Sequence, residues 1–286
     1  MLARQKLPAE YEVWNAKWGA PWGRRAVVSP DDWGRSEKLL DYVERLPWRL
    51  RVPVLRSAQM NRVRGPFAFQ SNTSTRRYEY PWAFHEIEGL GPSRILEVGG
   101  ALSGFQFVLA QSGHEVHNVD PFFDYGEGEA GYSDVDPIAE HAALNRSFDT
   151  DVTLHRATLP AANLTGEFGA VLCISTIEHL SEPDVVATLA AAKDLLAPGG
   201  LLVLTVDLFL NLQPFCERKA NDWGSNVSIA WIEEIVGYEM VTGERSELCG
   251  YPEFSAERIL SRLEEFAVST QYPQLAQLVT FRAPAK

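Results

Sequence analysis

From residue 94 onward, short apolar runs alternate with longer segments in which apolar positions recur every three or four residues. The runs predict strands at Arg94–Val98, Glu115–Val119, Asp151–His155, Phe168–Ile174, Gly200–Val206 and Ala276–Phe281. The segments between them predict helices near Ser103–Ser112, Pro137–Arg146, Glu182–Leu196, Ser225–Gly237 and Phe254–Phe266. This βαβ rhythm predicts an α/β fold, a Rossmann-like and mostly parallel sheet with helices on both faces. Ligands of such sheets bind beyond the carboxyl ends of the strands, so the residues just after each strand carry the functional information. Residues 1–90 read differently, as an irregular N-terminal extension rich in aromatic residues. One helix is expected there, near Ser36–Leu46, where Leu39, Leu40, Val43 and Leu46 repeat at helical spacing between a Ser36 cap and a Pro47 stop.

Composition adds a contrast between these parts. The first ninety residues hold 15 Lys and Arg against 10 Asp and Glu, while the rest hold 11 against 28, so a net charge of −12 conceals a basic extension and a strongly acidic remainder. Six of the eight tryptophans (Trp14, Trp18, Trp22, Trp33, Trp48, Trp82) lie in the extension. They are read as a small packed core or a homodimer contact, or else as part of a substrate cover. The basic residues are dispersed among acids, and the acidic remainder repels phosphates, which argues against a nucleic-acid partner. With 45% hydrophobic and 22% charged residues the chain has the balance of a soluble globular protein. It has no apolar run of membrane-spanning length, no secretory-signal core at its start and only three cysteines, none in a C-x-x-C pair, so no membrane partner and a cytoplasmic location are expected.

The first strand runs into Glu97-Val98-Gly99-Gly100-Ala101-Leu102-Ser103-Gly104. Gly99, Ala101 and Gly104 satisfy a G-x-[GA]-x-x-G spacing, in which small residues let the backbone turn tightly and approach a ligand. Asp120 ends the next strand, where a carboxylate accepts hydrogen bonds from both ribose hydroxyls. The pair points to an adenosine-containing cofactor. Glu97 indicates which kind: a carboxylate at this lip repels a dinucleotide's pyrophosphate but attracts an ammonium or sulfonium. A nicotinamide-dependent oxidoreductase, which shares the glycine loop and Asp120, is disfavoured on the same charge argument.

At this point the sequence resembles the class I S-adenosylmethionine-dependent methyltransferases, from about Arg94 to Phe281. Arg94–Gly104 resembles their first motif and Asn118-Val-Asp-Pro121 their ribose-binding second. Phe168–Leu180 is similar to the segment that enters the active site, Leu195–Thr205 to the helix, tight turn and strand that follow, and Ala276–Phe281 to a last strand that runs antiparallel. The resemblance implies two parts, an extension over 1–90 and a methyltransferase domain over 91–286, with S-adenosylmethionine as cofactor. It implies that Glu97 or the backbone of Gly99 holds the methionine amine, within a loop completed by Gly100, Ser103 and Gly104, that Asp120 and Pro121 meet the ribose, and that Ser175 and Thr176 line the methyl-delivery side. The sequence departs from the family in two places: Ala101 stands for the usual second glycine, and no acid follows the third strand, where Thr158 offers a hydroxyl instead.

A hydroxyl acceptor calls for a general base, and His179 beside Glu178 is the candidate, unless His179 merely packs or caps a helix. An amine acceptor needs carboxylates to orient it, and Glu178, Asp207 and Asp222 are available. Before the first strand, Asn72–Phe84 offers Arg77 for the methionine carboxylate and Tyr78, Tyr80 and Trp82 as walls of an acceptor pocket, or as aromatics docking a helix on the sheet. Trp223 and Tyr251 complete the candidate pocket. The acidic stretch Phe122–Asp136 is a solvated loop, or else a lid or part of the acceptor site. No metal site is evident in the histidine spacing. The resulting expectation is N- or O-methylation of a small molecule, with an aminosugar or a sugar-containing secondary metabolite, as in antibiotic biosynthesis, the best fit. A protein-directed methyltransferase that docks through the extension is the alternative, and a cofactor-binding scaffold without catalysis is a further one.

Overall fold

The computed structural model describes residues 1–23, 42, 45–47, 49–50, 58–122 and 136–285. The helix expected at 36–46 falls outside these residues apart from isolated positions, and the acidic stretch 123–135 lies outside them.

Seven strands form one sheet in the order β3-β2-β1-β4-β5-β9-β8. They are β1 (Arg94–Val98), β2 (Glu115–Val119), β3 (Thr153–His155), β4 (Phe168–Ile174), β5 (Leu196–Phe209), β8 (Glu239–Thr242) and β9 (Gln274–Arg282). β6 (Ala220–Asn221) and β7 (Gly224–Ser225) make a separate small hairpin. The pairs β1–β2, β1–β4, β2–β3 and β4–β5 are parallel, whereas β9 runs antiparallel to both β5 and β8. The mostly parallel sheet is the one the pattern predicts, and the antiparallel last strand is the one the resemblance implies.

Two differences are local. β8 is a short strand with alternating half-exposed residues, too brief for a periodic signal. The long helix expected over Phe254–Phe266 is a five-residue helix, Ala256–Leu260, followed by a separate turn at Leu263–Glu265.

Alternation along the strands divides the core between the two faces. Ala170, Leu172, Leu201, Val203 and Leu278 face one cluster, with Phe105, Phe107 and Leu144 from α4 (Gly104–Gln111) and α5 (Pro137–Phe148). Val171, Cys173, Leu202, Leu204 and Val279 face the other, with Val185, Leu189 and Ile232 from α6 (Glu182–Leu195) and α7 (Ile229–Val236).

The extension is more regular than expected. α1 (Ala9–Trp18) buries Tyr11, Trp14 and Trp18, three aromatics at i, i+3 and i+7, and Gly19 ends it in the left-handed region. α2 (Ala58–Arg64) follows, and α3 (Arg76–Ile87) leads to β1. α3 is hard to recognise in the sequence because it buries residues on most of its circumference, Tyr78 through Ala83, and carries Pro81 in its interior. Pro81 lacks the N–H that would reach the carbonyl of Arg77. That carbonyl instead accepts a hydrogen bond from Asn15 Nδ2 of α1 at 2.6 Å, so a neighbouring helix supplies the missing donor. Leu2 also bridges to Gln277 of β9, and Arg4 bridges to Phe266 before that strand.

Candidate active site

The carboxyl ends of β1, β2, β4 and β5, with α3 packed against β4 and β5, define the site. Its first half is the loop after β1. Gly99 adopts φ 74°, where an L side chain is strained, and a Cβ there would collide with the Thr176 side chain from the β4 end. Gly100 leaves room for two acceptors, since a Cβ there would lie 2.8 Å from both Asn118 Oδ1 and Glu97 Cδ. Ala101, in the position expected to need a small residue, also has a positive φ of 43°. Gly104 serves a different contact: a Cβ on it would lie 2.6–2.7 Å from the backbone of Pro66 and Phe67, so this glycine lets the extension sit on the start of α4.

A polar network braces the loop from behind. Ser103 Oγ donates to Glu97 Oε1 (2.8 Å), Asn118 Nδ2 donates to the Ala101 carbonyl (2.8 Å) and to Gln106 Oε1 (3.0 Å), and Gln106 Nε2 donates to the carbonyls of Ala101 (3.1 Å) and Ser103 (3.0 Å). His141 Nε2 lies 2.8 Å from Gln106 Oε1, and burial lowers its pKa to about 4, so the ring is neutral and donates. Asp120 accepts from the backbone N–H of Ala101 (2.9 Å) and of Phe122 (2.7 Å), which fixes its carboxylate between loop and strand end with lone pairs to spare. Burial raises its pKa.

Glu97 is 1% exposed, and its Oε2 has no hydrogen-bond partner among the described residues. Burial pushes its pKa up to about 8, against the opposing pull of the Ser103 hydroxyl. Asn118 Oδ1 is a second buried acceptor without a donor. Unsatisfied buried acceptors are costly, and this pair facing the glycine loop fits a ligand that brings hydrogen-bond donors, above all an ammonium.

The second half gathers charges from segments far apart in sequence. Arg76 Nη1, from the first turn of α3, lies 2.6 Å from Glu79 Oε2 and 2.5 Å from Ser175 Oγ. The Ser175 hydroxyl, with one proton to give, is 3.2 Å from Glu79 Oε2 and 3.0 Å from Asp207 Oδ1. Thr205 Oγ1 donates to Glu79 Oε2 (2.5 Å), and the Asp207 backbone N–H donates to Glu178 Oε1 (3.0 Å). Ser175, at the end of β4, has φ 44°, a strained conformation of the kind that gathers at functional sites. Burial tends to lower the Arg76 pKa, but Glu79 and Asp207 outweigh it and the net shift is upward. Burial raises Glu178 to about 7 and Asp207 well above the usual carboxylate range, the latter helped by the Glu178 charge.

Thus Glu97, Gly99, Gly100, Ser103, Asp120, Ser175, Glu178 and Asp207 lie at the strand ends. Thr176 packs on Gly99 and donates to the Val98 carbonyl (3.3 Å), bracing the loop. Pro121 is half-buried after Asp120, and Thr158 is exposed beyond β3. Arg77 is exposed, because α3 turns Arg76 rather than Arg77 toward the strands. The three aromatics expected to wall the pocket are core residues: Tyr78 packs edge-on against Tyr11, Tyr80 stacks on Phe105 and donates to Asn72 Oδ1 (2.8 Å), and Trp82 is buried. Tyr251 turns to α7 and donates to Glu233 Oε2 (2.7 Å). His179 is exposed, with Nδ1 against the carbonyl of Trp223, while Trp223 stacks on Tyr272 with ring centroids 5.3 Å apart. Asp222 is exposed in the same hairpin turn.

Arg76, Glu79, Thr205 and Tyr272 escape a sequence reading focused on residues just after strands. Glu79, between aromatics in a stretch dense with apolar residues, was the available signal. Among the described residues no group of three or more His, Cys, Asp or Glu side chains is placed to hold a metal ion, and no helix is long and apolar enough to cross a membrane.

Among curated proteins nothing matches the chain. Solved structures are similar at low identity. The [4+2]-cyclase SpnF is 15% identical over 82% of this chain and 93% of its own, with a TM-score of 0.52. N-methyltransferase NodS from Bradyrhizobium japonicum WM9, solved with S-adenosyl-L-homocysteine, is 16% identical over 87% of this chain and 98% of its own, with a TM-score of 0.49. The 1,6-didemethyltoxoflavin-N1-methyltransferase of Burkholderia thailandensis is 15% identical over 99% and 95%, with a TM-score of 0.48. The first of these supports the fold and nothing finer. A family profile described as a methyltransferase domain matches residues 70–243, which takes in α3, the glycine loop, Asp120 and both strand-end carboxylates, Glu178 and Asp207. The chain belongs to this methyltransferase-domain family.

Proposed function

We propose that the protein transfers a methyl group from S-adenosylmethionine to an amine or hydroxyl of a small molecule, with an aminosugar or a sugar-containing secondary metabolite as the best-fitting acceptor. The observation that carries the reading is Glu97, a buried carboxylate with one unpartnered oxygen beside a glycine loop in the left-handed conformation. Bound S-adenosylmethionine would supply an electrophilic sulfonium methyl. Glu97 would hold its ammonium, the Gly99–Ala101 backbone would approach it closely, Asp120 would accept from its ribose hydroxyls, and Arg76 is the guanidinium available to its carboxylate. The work left to the protein is to orient the acceptor and exclude water, which lowers the barrier through positioning. The acidity of residues 91–286 favours a cationic acceptor over a phosphorylated one.

The test is calorimetric titration with S-adenosylhomocysteine, with NADH in parallel. The expected result is micromolar or tighter binding of the former alone, weakened by Glu97→Gln. A preference for NADH, or no binding of S-adenosylhomocysteine, overturns the reading.

A further inference from the structure

Within that methyl-transfer reading, the strand-end cluster discriminates between acceptor classes. Among the described residues, three buried acids, Glu79, Glu178 and Asp207, gather around one guanidinium, that of the half-buried Arg76. Glu79 is 0% and Glu178 1% exposed, yet Glu79 Oε1 and Glu178 Oε2 have no hydrogen-bond partner among the described residues. These orphans are acceptors, so a ligand that completes them brings donors, and one that also brings positive charge favours the ionised forms of the neighbouring acids. A hydroxyl brings one donor and no charge, an ammonium three and one.

A second observation lies beside them. The β6–β7 hairpin sits on the turn that carries Glu178, so closely that a Cβ at Gly224 would collide with the Glu178 carbonyl. From its tip Trp223, 37% exposed, stacks on Tyr272 with an interplanar angle of 2°, and Tyr272 stacks in turn on Phe209, two residues beyond Asp207 on β5. An aromatic stack with a partly open outer ring therefore stands next to the carboxylates. Such rings attract cations and pack against the apolar faces of saturated rings.

We propose that Glu178 and Asp207 form the subsite for the acceptor's reacting group, that this group is an amine entering as its ammonium, and that the Trp223–Tyr272 pair walls the body of the acceptor. The inference rests on the methyl-transfer reading for its chemistry, but the amine subsite is testable without it. In the first step an ammonium N–H bond breaks, its electron pair stays on nitrogen, and the proton goes to a Glu178 oxygen. The nitrogen lone pair then forms the N–C bond as the donor's C–S bond breaks and leaves its electron pair on sulfur. Glu178, raised to about 7 by burial, is suited to take that proton near neutrality.

The experiment titrates the full chain calorimetrically at pH 7, with and without S-adenosylhomocysteine, using glucosamine against glucose and cyclohexylamine against cyclohexanol. Expected is an amine bound at least about tenfold tighter than its alcohol in one of the pairs, a ratio that falls to within about threefold in Glu178→Gln. Trp223→Ala, on the exposed hairpin, is expected to weaken the amine and the alcohol alike and keep their ratio. Equal affinity within both pairs overturns the proposal, as does an amine preference that survives Glu178→Gln, and loss of the preference in Trp223→Ala overturns the division of roles. Failure of S-adenosylhomocysteine to bind overturns the methyl-transfer reading, while a Glu178-dependent amine preference seen without it still supports the amine subsite.

Discussion

The two halves of the site solve opposite problems. Behind the loop after β1 the network is built from neutral groups: Asn118 and Gln106 hold the Ala101 carbonyl, the neutral His141 donates to Gln106 and Ser103 donates to Glu97, while Glu97 Oε2 and Asn118 Oδ1 stay without partners among the described residues. At the ends of β4 and β5, three buried acids meet the Arg76 guanidinium, and among the described residues Glu79 and Glu178 each keep an oxygen unsatisfied. A network of neutral amides holds a backbone shape, and a cluster of acids around one cation favours donors. The loop backbone is braced to keep its shape before and after binding, and Glu97 at its root is the group there that changes protonation. The carboxylate cluster is built to change its protonation and its partners.

The largest expected effect breaks the charged half. Arg76→Met leaves the carboxylates without their cation, and a loss of about 3–5 kcal/mol is expected in urea unfolding, as when one partner of a buried ion pair is removed. Arg77→Ala is its control: the side chain is exposed, and a change within about 0.5 kcal/mol is expected, with affinity for S-adenosylhomocysteine within about twofold of wild type.

In the braced half, Gly104→Ala drives a methyl against the Pro66–Phe67 backbone, and about 1–3 kcal/mol of destabilisation is expected in the same assay. A wild-type midpoint would show that the extension yields at this contact.

Glu97 sharpens the comparison through pH. Its folded-state pKa of about 8 lies above the ordinary carboxylate value of 4.5, so between those values the folded protein holds a proton that the unfolded chain releases. Its contribution therefore makes stability fall as pH rises from about 4.5 to about 8 and level off above. Glu97→Gln is expected to remove that slope and raise the melting temperature of the ligand-free protein at pH 8, by on the order of 1 kcal/mol or more in stability. In wild type, binding of an ammonium must expel the Glu97 proton, so affinity for S-adenosylhomocysteine is expected to strengthen from pH 6 to 8. In the variant that trend is expected to vanish, and calorimetry at three pH values reads both.

The smallest effect concerns α1. Asn15→Ala removes the donor to the Arg77 carbonyl left free by Pro81, and about 1 kcal/mol is expected, seen as faster amide exchange in α3.

The same comparison explains what could be read in advance. Glu97, the glycines and Asp120 lie within a strand, a turn and the next strand end, so spacing along the chain carries their geometry. The strands and helices of the sheet follow from alternating apolar runs and the antiparallel β9 from the family resemblance, while the order of strands in the sheet comes from the structure. The charged half joins residues 76–79, 175–178, 205–207 and 272, and no local period connects them. Arg76 and Arg77 are adjacent, and only the helical phase of α3 decides which one turns inward. That phase was illegible because α3 is buried on most sides and interrupted by Pro81. The sequence leaves the aromatics of the same helix open between pocket walls and helix-docking residues, and they take the second role in the core, with Tyr78 packed edge-on against Tyr11 of α1.

Gly99 and Thr176 come from different strand ends and meet because one of them has no side chain. Their fit sets a rule of inheritance for any lineage that carries this site. A larger residue at 99 is barred while 176 stays as it is, and a smaller one at 176 would open a gap that 99, fixed in a left-handed turn, cannot fill without strain. Position 99 should therefore stay glycine whatever 176 becomes, and a library randomised at both positions should recover folded variants that keep glycine at 99.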